Sequence, residues 1–345
     1  MKTIQPIQII GTQRSGSNML RLMLNQLDEI TAPHPPHILQ RFFPLLHIYG
    51  NLEISDNFFA LVDDVCKLVE CNPVPWTGVT FNRNEIISRC KNNSLIEVFR
   101  VIYDLKAESE NADYWICKSM INVKYAAELE ESGLQMRYIF LFRDGRDVAC
   151  SFKKAIVGEK HVYHIANQWA SNQKACIELE KNIEESRFLK VSYENLLHHP
   201  KKELKRICSF LNIELKNEVF DFYHSEESRN TAVAGKMWEN VARPILKNNS
   251  NKFKTELTPM EIAIFEKQAG GVLQQLGYTL ENSGILNGTP FTENEVKEFN
   301  NENYRLKEIA NLSADPDGMK LREKQDLLLK EIQKRNTQKT VVSFG

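Results

Sequence analysis

Four short apolar runs, rich in β-branched and aromatic residues, stand out along the chain at 7–10, 114–118, 137–142 and 187–193. Each stops at a glycine, a charge or a polar turn, as buried strands do. Between them, apolar positions recur at three- and four-residue spacing, which predicts helices over 19–24, within 38–110, through 126–129, and over 161–184 and 201–212. Strands that alternate with helices predict an α/β fold of three layers, a mainly parallel central sheet flanked by helices.

Three stretches depart from this alternation. Thr31 to His37 reads TAPHPPH, a proline-stiffened loop that can be neither helix nor central strand. Residues 38–110 read as several helices broken at NPVPW, 72–76, and are expected to form a helical insertion that roofs a site. From about 283 the strand signals end, and two charged helices are expected, 292–312 and 319–336, with a Pro-Asp-Gly turn at 316–318. The expected organisation is therefore a body of residues 1–282 and a helical C-terminal extension of 283–345, whose narrow apolar stripes suit docking on the body or on a second copy.

Composition narrows the function. A net charge of −1 gives no global attraction to nucleic acid or anionic membrane, so any anion site must be local. The 7 cysteines are scattered and contain no CxxC pair, which argues for reduced thiols in a cytoplasm and against a disulfide framework. No His/Cys/Asp cluster has ligand spacing, so no metal is expected. The N-terminus carries no charged-then-apolar leader, and no apolar run is long enough to span a bilayer.

The first strand runs into GTQRSGSN, residues 11–18, and then a helix. Strand, glycine-containing loop and helix together point backbone N–H groups and a positive dipole end at a phosphate, a P-loop-like arrangement. Gly11 and Gly16 have Walker A spacing, but Ser17 and Asn18 stand where Lys and Ser/Thr would serve a triphosphate and Mg²⁺. Arg14 is the only cation in the loop. A second candidate anion site is LFRDGRDVACS, where Arg143 ends a strand and Ser151 lies eight residues on, in the next helix. A guanidinium offers a planar fork to phosphate oxygens. Arg146 and Asp147 are expected in surface ion pairs.

Thr12–Asn18 and Arg143–Ser151 together resemble the two nucleotide-binding elements of sulfotransferases that use 3′-phosphoadenosine-5′-phosphosulfate (PAPS). The arginine form of the loop is similar to that of carbohydrate and tyrosyl-protein members, and the resemblance covers residues 5–280. It implies a 5′-phosphosulfate loop made of Arg14, Ser15, Gly16, Ser17 and Asn18. It also implies a 3′-phosphate site at Arg143 and Ser151, a nucleotide-adjacent Tyr193, and a closing loop with Lys236 near Trp238. Catalysis is then expected from Arg14 and Lys118 over the sulfuryl oxygens, with His34, or else His37, as the base for a hydroxyl acceptor such as a carbohydrate, glycolipid, lipid or peptide. Met120 fills the place where small-molecule members carry a catalytic His. A divergent P-loop kinase or NTPase and a catalytically silent nucleotide-binding scaffold are the alternatives.

Overall fold

The structure is a computed structural model that describes residues 4–282, 284, 286, 289–312 and 316–342. Of the expected extension, residues 283, 285, 287, 288, 313–315 and 343–345 lie outside the described residues. The sheet has five strands, β1 (Gln5–Gly11), β2 (Ile30–Thr31), β3 (Tyr114–Cys117), β4 (Arg137–Phe142) and β5 (Phe188–Ser192). Their order is β2-β3-β1-β4-β5 and every pairing is parallel. The two-residue β2 was not legible in the sequence, because two residues carry no periodicity.

The register explains the strands' composition. Ile7 lies beside Ile116 and Ile9 beside Ile139. Along β4, Tyr138 and Phe140 enter one apolar core while Ile139 and Leu141 enter the other. Alternate residues thus bury on opposite faces, and both faces are covered, which is why these strands are continuously apolar. One polar side chain interrupts β1. Gln8 is fully buried, and its amide nitrogen donates to the carbonyls of Cys117 (2.9 Å) and Ser119 (3.1 Å). That pair of bonds fixes the turn that follows β3.

Among the helices are α1 (Ser17–Leu24), α2 (Ser55–Glu70), α3 (Leu95–Ser109), α4 (Gly145–Lys154), α5 (Val162–Asn182), α6 (Pro200–Leu211), α7 (Pro259–Gln275), α8 (Glu293–Leu312) and α9 (Pro316–Val342). Asp144 caps α4 by accepting the Arg146 N–H at 2.9 Å, and Thr258 and Glu261 form a capping box on α7. The expected turn at 316–318 is instead the first turn of α9. Proline suits a first helical position because the N–H it lacks would be unpaired there. The last helix docks on the body: Ile332 is fully buried, Gln325 is buried, and Arg335 makes two hydrogen bonds to the buried Asp64 of α2.

Gly11 closes β1 with φ +134°, and a Cβ there would stand 2.3 Å from the Leu141 carbonyl oxygen. Backbone of β4 cannot yield as a flexible side chain could. Gly11→Ala is therefore expected to destabilise the protein by about 2–4 kcal/mol in urea unfolding, with the site loop displaced. A change below about 0.5 kcal/mol would show that β1 and β4 do not meet this closely.

Candidate active site

The loop after β1 turns into α1 through Arg14, at φ +70°, and Gly16, at φ +81°. Gly16 is needed for space as well as conformation: a Cβ would stand 2.4 Å from the ring of Tyr193. Thr12 is pinned from α5 by Gln173, whose amide donates to its hydroxyl at 2.8 Å. Ser15 and Ser17 are buried in the loop, and the Ser15 hydroxyl has no partner among the described residues. The Arg14 guanidinium donates to the Ser151 hydroxyl (2.9 Å) and to the Met237 carbonyl (3.1 Å). Burial and the charge of Arg143 push its pKa down to about 10, so this arginine is short of negative charge.

Arg143 stands at the end of β4. It donates to the carbonyls of Arg14 (3.0 Å) and Asn249 (2.8 Å), and its guanidinium lies 4.4 Å from the Tyr193 ring centroid. Its Nε is buried without a partner among the described residues. Asp147 approaches it at 3.6 Å, and burial pushes that carboxyl's pKa up. Arg146 and Asp147 are not surface ion pairs as expected. Arg146 is buried between Asp144 and Glu266, and Asp147 accepts the Phe253 N–H. Charges at this helix start are drawn inward because α7 and residues 251–253 pack over it, which a local reading of RDGRD cannot reveal.

Beyond the ends of β1 and β3, Lys118, His34 and His37 face the same space. Lys118 is buried, and burial with the charges of Arg21 and Arg14 pushes its pKa down to about 7. Both histidines are held well below their usual range, first by burial and then by Lys118, so both imidazoles are neutral at pH 7. Nδ1 of His37 lies 2.9 Å from the Ser119 hydroxyl, and Nδ1 of His34 lies 3.3 Å from the Asn72 amide nitrogen.

One cavity of about 1380 Å³ joins the arginine end to the histidine end. That exceeds the roughly 300–1,000 Å³ of a pocket for one small ligand. Lys236 is exposed on its wall, and Trp238 lies between His34, 5.2 Å away edge-on, and the guanidinium of Arg322, 5.0 Å away. Arg322, Gln325 and Asp326 come from α9, so the C-terminal helix lines the cavity. Sequence reasoning missed these, along with Asn249 and the fully buried Arg21. The signal for Arg21 was a lone cation inside the apolar pattern of 19–24. It holds the Ala32 carbonyl (2.6 Å), Glu227 (2.7 Å) and Thr231 (2.9 Å). Among the described residues no group of three or more His, Cys, Asp or Glu could hold a metal ion, and no helix is long and apolar enough to cross a membrane.

Comparison with known proteins agrees with this geometry. A model described as "Sulfotransferase family" matches residues 6–217. Protein-tyrosine sulfotransferase A of Caenorhabditis elegans is 24% identical over 218 residues, 62% of this chain and 51% of that protein, so the chain spans about half the length of that relative. Two solved structures share the fold. The sulfotransferase domain of the Synechococcus PCC 7002 olefin synthase has a TM-score of 0.56 at 19% identity, covering 81% of this chain and 98% of that one. The sulfotransferase domain from the curacin biosynthetic pathway has a TM-score of 0.56 at 20% identity, covering 81% and 100%.

The buried ammonium yields a stability prediction. With a folded pKa of about 7 against an ordinary 10.5, Lys118 costs stability in full below pH 7, and the cost fades as pH rises towards 10.5. Lys118→Met is therefore expected to raise the melting temperature of the unliganded protein at pH 6.5 by roughly 2–4 °C per kcal/mol recovered, and by clearly less at pH 9.5. Equal loss of stability at both pH values would contradict the buried-charge account.

Proposed function

The chain belongs to the sulfotransferase family, and on that premise we propose that it transfers the sulfuryl group of PAPS to a hydroxyl acceptor. The observation that carries the reading is the pair of arginines, Arg14 and Arg143, one hydrogen-bonded to the other's carbonyl, with Ser151 on the first. Two like charges in one buried pocket, with a buried orphan Nε, suit a ligand bearing two anionic groups. In this reading the loop 12–18 takes the 5′-phosphosulfate, while Arg143 and Ser151 take the 3′-phosphate. Tyr193 supports Arg143 and Lys236 closes the loop over the nucleotide. No metal is invoked.

Sulfuryl transfer depends on positioning and charge more than on covalent help from the protein. Arg14 and Lys118 would face the sulfuryl oxygens. Anion binding favours the charged form of Lys118, so nucleotide affinity should strengthen as pH falls through 7. A histidine of the proline-stiffened loop, His34 or His37, would take the acceptor's proton. The 24% identity to a protein-tyrosine sulfotransferase puts a tyrosine hydroxyl beside sugars, glycolipids and lipids as an acceptor to be tried. Residues 1–282 act as the catalytic unit with 283–345 as its extension, and the seven free thiols suit a reducing cytoplasm.

Titration calorimetry with 3′-phosphoadenosine 5′-phosphate tests the nucleotide site. Micromolar binding without Mg²⁺ is expected, weakened roughly 100-fold by Arg143→Ala, as two charged hydrogen bonds at about 1.5 kcal/mol each imply. Ser151→Ala should weaken it about 10-fold. A preference for ATP with Mg²⁺ that ignores Arg143 would favour a kinase instead.

A further inference from the structure

At the histidine end the cavity wall carries two arginines that the nucleotide reading does not use, Arg41 and Arg322. Arg322 belongs to α9, beyond the residues 6–217 that match the family model. It is half-buried, its guanidinium lies 5.0 Å from the Trp238 ring, and its Nη2 is buried without a partner among the described residues. Asp326 stands four residues on, on the same face of α9 and on the same wall, yet the two form no ion pair among the described residues. Arg335, farther along this helix, behaves differently and ends on Asp64 in two hydrogen bonds. A guanidinium that meets no acid and leaves a buried N–H without an acceptor offers its planar fork to an anion.

Side chains from three segments fix Arg322 relative to the loop histidines. Gln325, from the same face of α9, donates to the Leu68 carbonyl at 2.8 Å, meets the Asn72 oxygen at 3.4 Å and accepts from Arg41 at 2.9 Å. Asn72 in turn donates to the His34 carbonyl at 3.0 Å. Arg41 lies one turn beyond His37, whose carbonyl accepts its backbone N–H at 3.0 Å. Trp238 stands in the middle, edge-on to the His34 ring at 5.2 Å and under the Arg322 guanidinium. One indole therefore separates this cation from the histidine loop, while Arg14 and Arg143 hold the opposite end of the cavity.

We propose that α9 supplies an anion subsite for the acceptor, in which Arg322, flanked by Arg41, takes a carboxylate or phosphate of the acceptor while the reacting hydroxyl lies at His34 and His37. This rests on the sulfuryl-transfer reading above and adds to it a class of acceptor, a molecule whose hydroxyl and anionic group stand about one ring apart. Carboxylate and phosphate both meet a guanidinium through paired oxygens. Burial pushes the pKa of both arginines down, and the charge of Arg322 adds to this at Arg41, with Asp326 opposing in each case. An added negative charge relieves both.

Titration calorimetry tests the subsite with three rigid probes: para-hydroxyphenylacetate, para-hydroxyphenyl phosphate and the uncharged para-hydroxyphenylacetamide. Each is titrated into the full chain with and without saturating 3′-phosphoadenosine 5′-phosphate. With the bisphosphate covering Arg14 and Arg143, at least one of the anions is expected to bind about 10-fold more tightly than the amide. Tighter binding of one anion than of the other assigns the subsite to carboxylate or to phosphate. Arg322→Gln should erase most of the difference from the amide, and Arg322→Lys, which keeps the charge without the fork, should retain part of it. A melting temperature within a few degrees of the unaltered chain shows that both variants are folded. Equal binding of anions and amide, no binding of either anion at millimolar concentration, or a difference left intact in Arg322→Gln would overturn the proposal. Failure of the unaltered chain to bind the bisphosphate would instead count against the parent reading, and the dependence on Arg322 is then read from the titrations without it.

Discussion

The feature on which the rest of the site depends is the approach of two guanidiniums at the carboxyl ends of neighbouring strands. Arg143 bonds to the backbone carbonyl of Arg14, and its charge adds to the burial that disfavours the charged Arg14. Such an arrangement is costly without an anion and favourable with one. It exists because β1 and β4 are adjacent and in register, Gly11 beside Leu141, so that the loops leaving them must share one crevice. The general rule that ligands sit beyond the carboxyl ends of a parallel sheet acquires here a specific physical content.

Much of the remaining architecture reads as support for that crevice. Tyr193 closes against Gly16 on one side and lies under Arg143 on the other. Gln173 and Gln8, both fully buried, tie the loops after β1 and β3 to helix and strand. On the far side α9 completes the wall: Gln325 reaches the Leu68 carbonyl and Asn72, Arg41 reaches Gln325, and Arg335 neutralises Asp64. Losing that helix would leave Asp64 a buried carboxylate short of its cation, so the extension and the roof of the site stand together.

The sheet, the phosphate loop and the Arg143 helix were legible because each is local. Period-two or fully apolar runs declare strands, and a loop of fixed spacing between strand and helix declares an anion site. What was not legible is what distant segments do to those residues. Asp147 and Arg146 read as solvated charges, yet α7 and residues 251–253 bury them. The tail read as helices suited to docking on the body or on a second copy, with no sign that Arg322 would lie over Trp238, 84 positions back in the chain. Likewise TAPHPPH set His34 ahead of His37 by its place in the loop, with no view of what either ring meets. The groups beside their Nδ1 atoms, Ser119 for His37 and Asn72 for His34, come from 82 and 38 residues away.

The most direct test of the account is a crystal structure of the full chain with 3′-phosphoadenosine 5′-phosphate. The account predicts the 3′-phosphate on Arg143 and Ser151 and the 5′-phosphate on the backbone N–H groups of 14–18. At least one of the contacts Arg14–Ser151 and Arg143–Asn249 should be exchanged for phosphate oxygens. Nucleotide bound elsewhere, or bound with both contacts intact, would contradict it.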